Sequence, residues 1–310
     1  MLERIKNMPV PLLPTFVGAL TISNVYSGLG FHWVRHLMMW TGTLVLLCYV
    51  IKLFTAPDVC KKEYQNTVPA SLYAAFFMIM MILGSYYYDY IPLLGQALLW
   101  IAVICQAGHI IMFTIRNVLQ KRDMDTFVPS WFVTYNGIMV SCVVGGAILP
   151  KVVTTAITWY GIVIYLILLP FMIYRLLTKE VKKPVYHTMA VVLAPCSLCV
   201  VSYLNIIDAK NALIVYFLYF CVLCSLAFVV FKLPHFFAFN FVPGYAGITF
   251  PMAIGCVATG KVAGYITNAG NEMIGGWLSQ LQGIQIFLTT MIIGWVLMQF
   301  LITFLKLERH

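Results

Sequence analysis

Few residues in this 310-residue chain are of types that do covalent or acid–base chemistry, and their placement limits what they can do. Cys196/Cys199 and Cys221/Cys224 have the Cys-x-x-Cys spacing of a thiolate metal site or a redox pair. Both pairs lie inside apolar runs, and no loop supplies a matching Cys/His cluster. They read as small, soft packing residues, so neither a metal nor a cofactor is expected. The acidic residues are Glu3, Asp58, Glu63, Asp89, Asp123, Asp125, Glu180, Asp208, Glu272 and Glu308, and every one falls in a loop or terminus. Ion-coupled transporters and proton pumps keep a carboxylate or histidine within the membrane. The clearest intramembrane candidate is His109, near Gln106, which reads as a packing or inter-subunit polar contact. A membrane enzyme needs a clustered catalytic set. His187 in "KKPVYHTM" and His235 in "KLPHFF" have no acidic residue beside them, so no enzyme is expected.

A different chemistry is suggested by "AGITFPMAIG" (246–255), deep in an apolar run. Pro251 cannot donate to the carbonyl of Gly247, and its ring crowds that carbonyl, so a kink is expected there. Gly247 eases the bend, and Phe250 rides on the weakened turn. A bulky apolar ring at a narrow point stops ions by excluding water, and moving it opens the path. The same residue type is also common in ordinary membrane cores. Lys261 follows eleven residues later, roughly 16 Å further along a helix, where it either enriches anions at a pore mouth or snorkels to the interface.

The elements that must position these residues follow from composition. With 62% hydrophobic and 9% charged residues, the chain lacks the roughly 25% of charged residues that a soluble domain shows the solvent. Long apolar runs without period-two alternation point to an all-α integral membrane protein in one domain over 1–310, and not to a barrel. Ten spans are expected, near 9–29, 34–53, 68–87, 90–116, 127–148, 152–177, 185–205, 210–232, 239–266 and 276–305. The basic start "MLERIKNMPV" runs into apolar sequence without a small-residue cleavage site, so it reads as the approach to the first span.

Fifteen lysines and arginines fall on the side that would hold both termini, among them Arg122, Lys306 and Arg309. Four fall on the other, namely Arg35, Lys151, Lys210 and Lys261. Both termini are therefore expected in the cytoplasm of a multi-pass plasma-membrane protein. The net charge of +9 reads as topology and attraction to anionic lipid, with no nucleic-acid partner, because the basic residues are scattered over separate loops.

The spans pair into five hairpins, each closed by a short loop on the side away from the termini. Pro14, Pro69, Pro129, Pro195 and Pro251 mark the odd spans at spacings of 55, 60, 66 and 56 residues, a weak repeat. Proline-freed backbone is tolerated at membrane depth only if buried in protein or facing a watered cavity. Odd spans should therefore lie inside, with even spans facing lipid, and five inner helices in a ring would enclose one path. Thr15, Ser130, Thr134, Ser197 and Thr249 are the expected polar lining. Ordinary close packing of small residues explains any one of them equally well.

"ITFPMAIGCVATGKVAGY" (248–265) resembles the ninth helix of the plant slow-type anion channels, and "VPSWFVTYNGI" (128–138) resembles the fifth-span motif of the bacterial tellurite-resistance and dicarboxylate transporter family. The resemblance implies ten helices in a quasi-five-fold ring of hairpins, a pore through each subunit, a homotrimer, and a phenylalanine gate at Phe250. Plant members pass chloride and nitrate, and fungal members carry malate. The expectation is a passive anion channel for chloride or nitrate. The alternative is a proton-linked carrier of C4-dicarboxylates or tellurite-type oxyanions, with His109 as its first suspect.

Overall fold

A computed structural model describes residues 2–121, 123–238 and 240–306. Arg122, Glu308 and Arg309 of the charge map lie outside the described residues, as does Phe239 at the expected start of the ninth span. The described residues are helical throughout and contain no strand. The first hairpin comprises α1 (Leu2–Lys6), α2 (Leu12–Gly28) and α3 (His32–Thr55). The second holds α4 (Pro57–Gln65), α5 (Thr67–Leu72), α6 (Ala74–Tyr88) and α7 (Pro92–Phe113). Then follow α8 (Trp131–Asn136), α9 (Val140–Val144), α10 (Lys151–Thr178), α11 (Leu193–Ile206), α12 (Ala212–Phe236), α13 (Ala246–Asn268) and α14 (Glu272–Lys306). Among the described residues, eight helices are long and apolar enough to cross a bilayer. The first and fifth expected spans are shorter. Leu12–Gly28 has 17 residues, and Trp131–Val144 is split by a 3₁₀ turn at Gly137–Met139. Length and composition therefore support eight of the ten expected crossings. The fifth falls short because residues 145–150 leave the helix.

Burial divides the helices as the prolines predict. In the apolar stretches of Lys183–Ile206 and Pro243–Asn268, 83% of residues are buried, and in Thr67–Tyr88, 72%. In α3, the α7 span, α10, α12 and α14 the share is 22–33%, and Leu44, Ile104, Phe220 and Phe287 stand exposed there. The buried segments touch in a closed cycle: α2 packs on α6, α6 on α9, α9 on α11, α11 on α13, and α13 on α2. Arg4 lies over the Phe304 ring at 5.3 Å, so both chain ends share one face. This is called the near face below, and the opposite one the far face.

Four of the five odd-span prolines stand at or near helix starts, whereas Pro251 lies inside α13, and the outer helices α10 and α12 carry Pro170 and Pro234. Pro14 and Pro195 stand in the first turn of α2 and α11, Pro69 in the short α5, and Pro129 just before α8. A missing N–H costs little at a helix start. Four of the inner segments thus carry a proline in or just before a first helical turn. α13 runs unbroken through Pro251, and its departure from α geometry lies upstream, in the 3₁₀ turn Pro243–Tyr245. The far-face turns are also built alike. After α2, Gly30 at φ 93° donates to Ser27 O and Phe31 to Tyr26 O. After α13, Gly270 at φ 90° donates to Thr267 O and Asn271 to Ile266 O. This is the paired-bond ending in which glycine supplies the left-handed residue.

Lipid tails give helices no hydrophobic reason to associate, so packing and hydrogen bonds must hold them. The broken fifth segment shows how. Gln106 of α7 donates to Thr134 O at 2.8 Å, and Asn205 of α11 donates to Val143 O at 3.2 Å. Each supplies a donor to backbone that a short, irregular helix leaves incompletely bonded.

Candidate functional site

Two cavities lie within the ring, one towards each face. The far cavity, about 620 Å³, takes lining from every buried segment: Asn24 of α2, Ser85 of α6, Val140 of α9, Asn205 of α11 and Phe250 of α13. The near cavity, about 560 Å³, is lined among others by Pro69, Lys183, His187, Asn240 and Gly247. Along α13, Gly247 borders the near cavity and Phe250 the far one. Three residues of rise, about 4.5 Å, separate them. Phe250 is 4% exposed, so its ring is packed at the floor of the far cavity and does not face lipid.

α13 presents to the far cavity a stripe of Phe250, Ile254, Val257 and Lys261, with Gly260 beside the last. The spacing i, i+4, i+7, i+11 is one face of a helix. Lys261 lies furthest along this stripe from Phe250. Two close approaches fix the turn that carries Phe250. A Cβ on Gly18 of α2 would lie 2.8 Å from the Phe250 amide nitrogen, and one on Gly247 would lie 2.8 Å from the His187 carbonyl oxygen. Gly247 thus serves close packing against the 3₁₀ segment Lys183–Val192, a reason distinct from the easier bend inferred from sequence. Gly18→Ala is expected to destabilise the protein by about 1–3 kcal/mol, the usual range for overpacking. A melting curve in detergent checks it, and an unchanged midpoint would show that α2 shifts away freely.

The base of α13 is anchored by aromatic groups. The Tyr245 hydroxyl donates to Phe236 O at 2.6 Å, and His187 Nε2 donates to the same carbonyl at 3.0 Å. The two rings lie with centroids 3.9 Å apart. This arrangement sets Nε2–H as the bonded tautomer of His187.

The hydroxyls expected to line the path lie elsewhere. Thr15 donates to Pro11 O, Ser197 to Leu193 O, and Thr249 to Ala246 O and, at 3.4 Å, to Pro14 O. Ser130 accepts from Ser71, and Thr134 donates to Ser71 O. All five are buried, and none is among the residues lining either cavity. Four of the hydroxyls satisfy helix carbonyls, as buried Ser and Thr in helices commonly do, and that of Ser130 pairs with Ser71. Pro14, Pro129, Pro195 and Pro251 likewise stay behind the lining, and only Pro69 and Gly247 of the expected kink set border a cavity. The polar lining comes instead from Thr21, Asn24, Ser27, Ser85, Asn205 and Gln282. Thr21, Asn24 and Ser27 recur every third residue along α2, a spacing that the sequence displays. Gln282 and Arg35, from even spans, carried no such signal.

No aspartate or glutamate lines either cavity among the described residues, whereas Arg35 and Lys261 line the far one and Lys183 the near one. The acidic side chains stay outside. On exposed loops, Lys151 hydrogen-bonds Asp208 and Lys179 hydrogen-bonds Asp125, each holding its carboxyl below the usual range. Both cavities are therefore positive, which favours anions and disfavours cations. His109 borders neither cavity. Its Nδ1 pairs with the Tyr64 hydroxyl at 3.0 Å, a contact within the chain. Cys196 and Cys199 are buried in α11, and the Cys196 thiol bonds helix carbonyls.

Comparison with known proteins agrees with this geometry. Residues 11–305 match the family described as voltage-dependent anion channel, SLAC1. Over 172 residues the chain is 24% identical to the tellurite resistance protein TehA homolog of Haemophilus influenzae, covering 53% of this chain and 50% of that protein. The match thus spans about half the length of that curated relative.

Proposed function

The chain belongs to the voltage-dependent anion channel family, and on that footing we propose that it is a passive anion channel gated by Phe250. It is a multi-pass membrane protein of an anion transporter and channel family. In the proposed reading, ten helices form five hairpins around one path per subunit, and three subunits assemble. The near face is cytoplasmic, as its excess of lysine and arginine argues. Chloride and nitrate enter the far cavity, pass the Phe250 turn when its ring swings aside, and leave through the near cavity.

One observation carries the reading: the buried Phe250 borders the far cavity one helical turn from Gly247 of the near cavity, and among the described residues both cavities are lined by cations and by no carboxylate. An apolar constriction opposes ions because water leaves it, and the surrounding charge selects the sign of what passes when it opens. Among the described residues no carboxylate lines either cavity to bind a driving proton; His109, the first suspect for proton coupling, faces Tyr64, and His187, which borders the near cavity, holds Phe236 O through Nε2.

Purified protein in vesicles tests this. Chloride or nitrate efflux driven by a potassium-set potential is expected, unchanged when the proton gradient is collapsed. Uphill malate uptake that needs a proton gradient, without potential-driven chloride flux, would replace the channel with a carrier.

A further inference from the structure

Arg35, at the start of α3, reaches the far cavity from an outer helix. Its Nε donates to Asn24 Oδ1 at 3.0 Å, and its Nη2 donates to Asp89 Oδ2 at 3.0 Å. The guanidinium also lies over the Tyr86 ring, 5.1 Å from its centroid. These contacts fix the side chain in one pose. Its side chain keeps 22% exposure, while that of Asp89 keeps 49% and Asp89 does not line the cavity. The pair therefore turns its cation towards the cavity and its carboxylate away from it. Because Asn24 Oδ1 accepts from Arg35, the Asn24 amide retains its N–H groups as donors.

Lys261 borders the same cavity and pairs with no carboxylate among the described residues. Both cations border the far cavity. Gly18 of α2 packs at the Phe250 amide of α13, and both helices rise from the near face to the far face. Ten residues on, about 15 Å higher, Gly28 and Gly260 line the far cavity together. Asn24, Arg35 and Lys261 all line the cavity that Phe250 borders, and Arg35 and Asn24 are directly hydrogen-bonded.

We propose that Arg35, Lys261 and Asn24 form an anion-capture site for small inorganic anions in the far cavity, and that Asp89 attenuates it. The guanidinium and ammonium supply charge, and the Asn24 amide supplies a neutral donor. Asp89 holds Arg35 in place and at the same time cancels part of its field. The carboxylate lowers occupancy, so that a captured anion can move on, since conduction needs sites weak enough to leave. The site's role in loading a pore rests on the channel reading above, whereas its capacity to bind anions does not.

Two measurements separate these. Chloride-35 line broadening of the purified protein in detergent reads binding without flux, and the half-saturating far-side chloride concentration in vesicles reads loading. Arg35→Gln is expected to weaken both about tenfold, a typical single coupling. Asp89→Asn is expected to strengthen both about threefold, the opposite sign. Arg35→Lys retains the charge and stays close to the starting protein. All three effects shrink in high salt, because charges near solvent are screened. Asp89 is largely exposed, so Asp89→Asn keeps the test open if Arg35→Gln fails to fold. If Asp89→Asn weakens chloride binding as Arg35→Gln does, the pair is a structural clasp and the proposal falls. Unchanged binding in both variants overturns it as well. Binding that follows the expected pattern in a protein without potential-driven flux would uphold the capture site and remove the channel reading.

Discussion

Phe250→Ala raises anion flux in voltage clamp or vesicles about a hundredfold, the gain expected if the ring contributes about 2.7 kcal/mol to the barrier. The ring is almost fully buried at the floor of the far cavity, and the next turn of the same helix borders the near cavity. Truncation to a methyl group joins the two cavities with little else to move, because Gly18 and Gly247 hold the backbone of that turn in place from two sides. Water can then occupy the constriction, and the dewetting barrier falls. Phe250→Trp keeps an aromatic plug and is expected to leave the flux low. The variant also speaks to selectivity. Lys183, Lys261 and Arg35 remain, so the added current should still reverse near the chloride potential. An alanine variant that folds and expresses normally yet shows no added current would sink the gate.

The second large effect concerns stability, at a place away from the path. Lys52 Nζ is fully buried and donates to Glu63 Oε1 at 2.7 Å, to Glu63 Oε2 at 2.9 Å and to Met8 O at 2.7 Å. The Tyr73 hydroxyl donates to Glu63 Oε2 at 2.6 Å, and Tyr49 donates to Pro9 O at 2.7 Å. One charge pair thereby ties the residues leading into α2 to α3, α4 and the head of α6. Glu63→Ala strands a buried ammonium, and a loss of about 3–5 kcal/mol is expected, the range for breaking one side of a buried pair. The double change Lys52→Met with Glu63→Met should recover much of that loss, since apolar replacement of both partners is often close to neutral. Recovery will be incomplete, because Met8 O and the Tyr73 hydroxyl lose their partner as well. Melting curves for the two single variants and the double variant measure the coupling. Single variants that melt with the starting protein would mean that water reaches Lys52 and the pair is worth little.

How legible these features were in the sequence differs from one to the next. The odd–even division could be read because its cause is local: a proline removes a donor wherever it stands, and lipid tolerates unpaired backbone only in shielded places. The same logic singled out Phe250, next to Pro251 in an apolar run, and placed Lys261 three turns above it. The lining hydroxyls were misread because Ser and Thr in a helix bond their own carbonyls as readily as they face a pore. Thr15, Ser197 and Thr249 do the former. Lys52 counted only as one more basic residue on the near face, and nothing in its neighbourhood along the chain predicts Glu63 as a buried partner.

The sequence by itself determined the solvent, the helical class and which spans turn inward, because each of these follows from composition and from backbone donors counted along the chain. The tertiary structure alone decided which side chains share a cavity and which charges meet. Arg35 reaches the path from an outer helix, Asp89 turns away from it, and Gly18 rests on the amide of Phe250. Those pairings join residues 54 and 232 positions apart, and the one-dimensional pattern carries no term for contacts that only the crossing of helices creates.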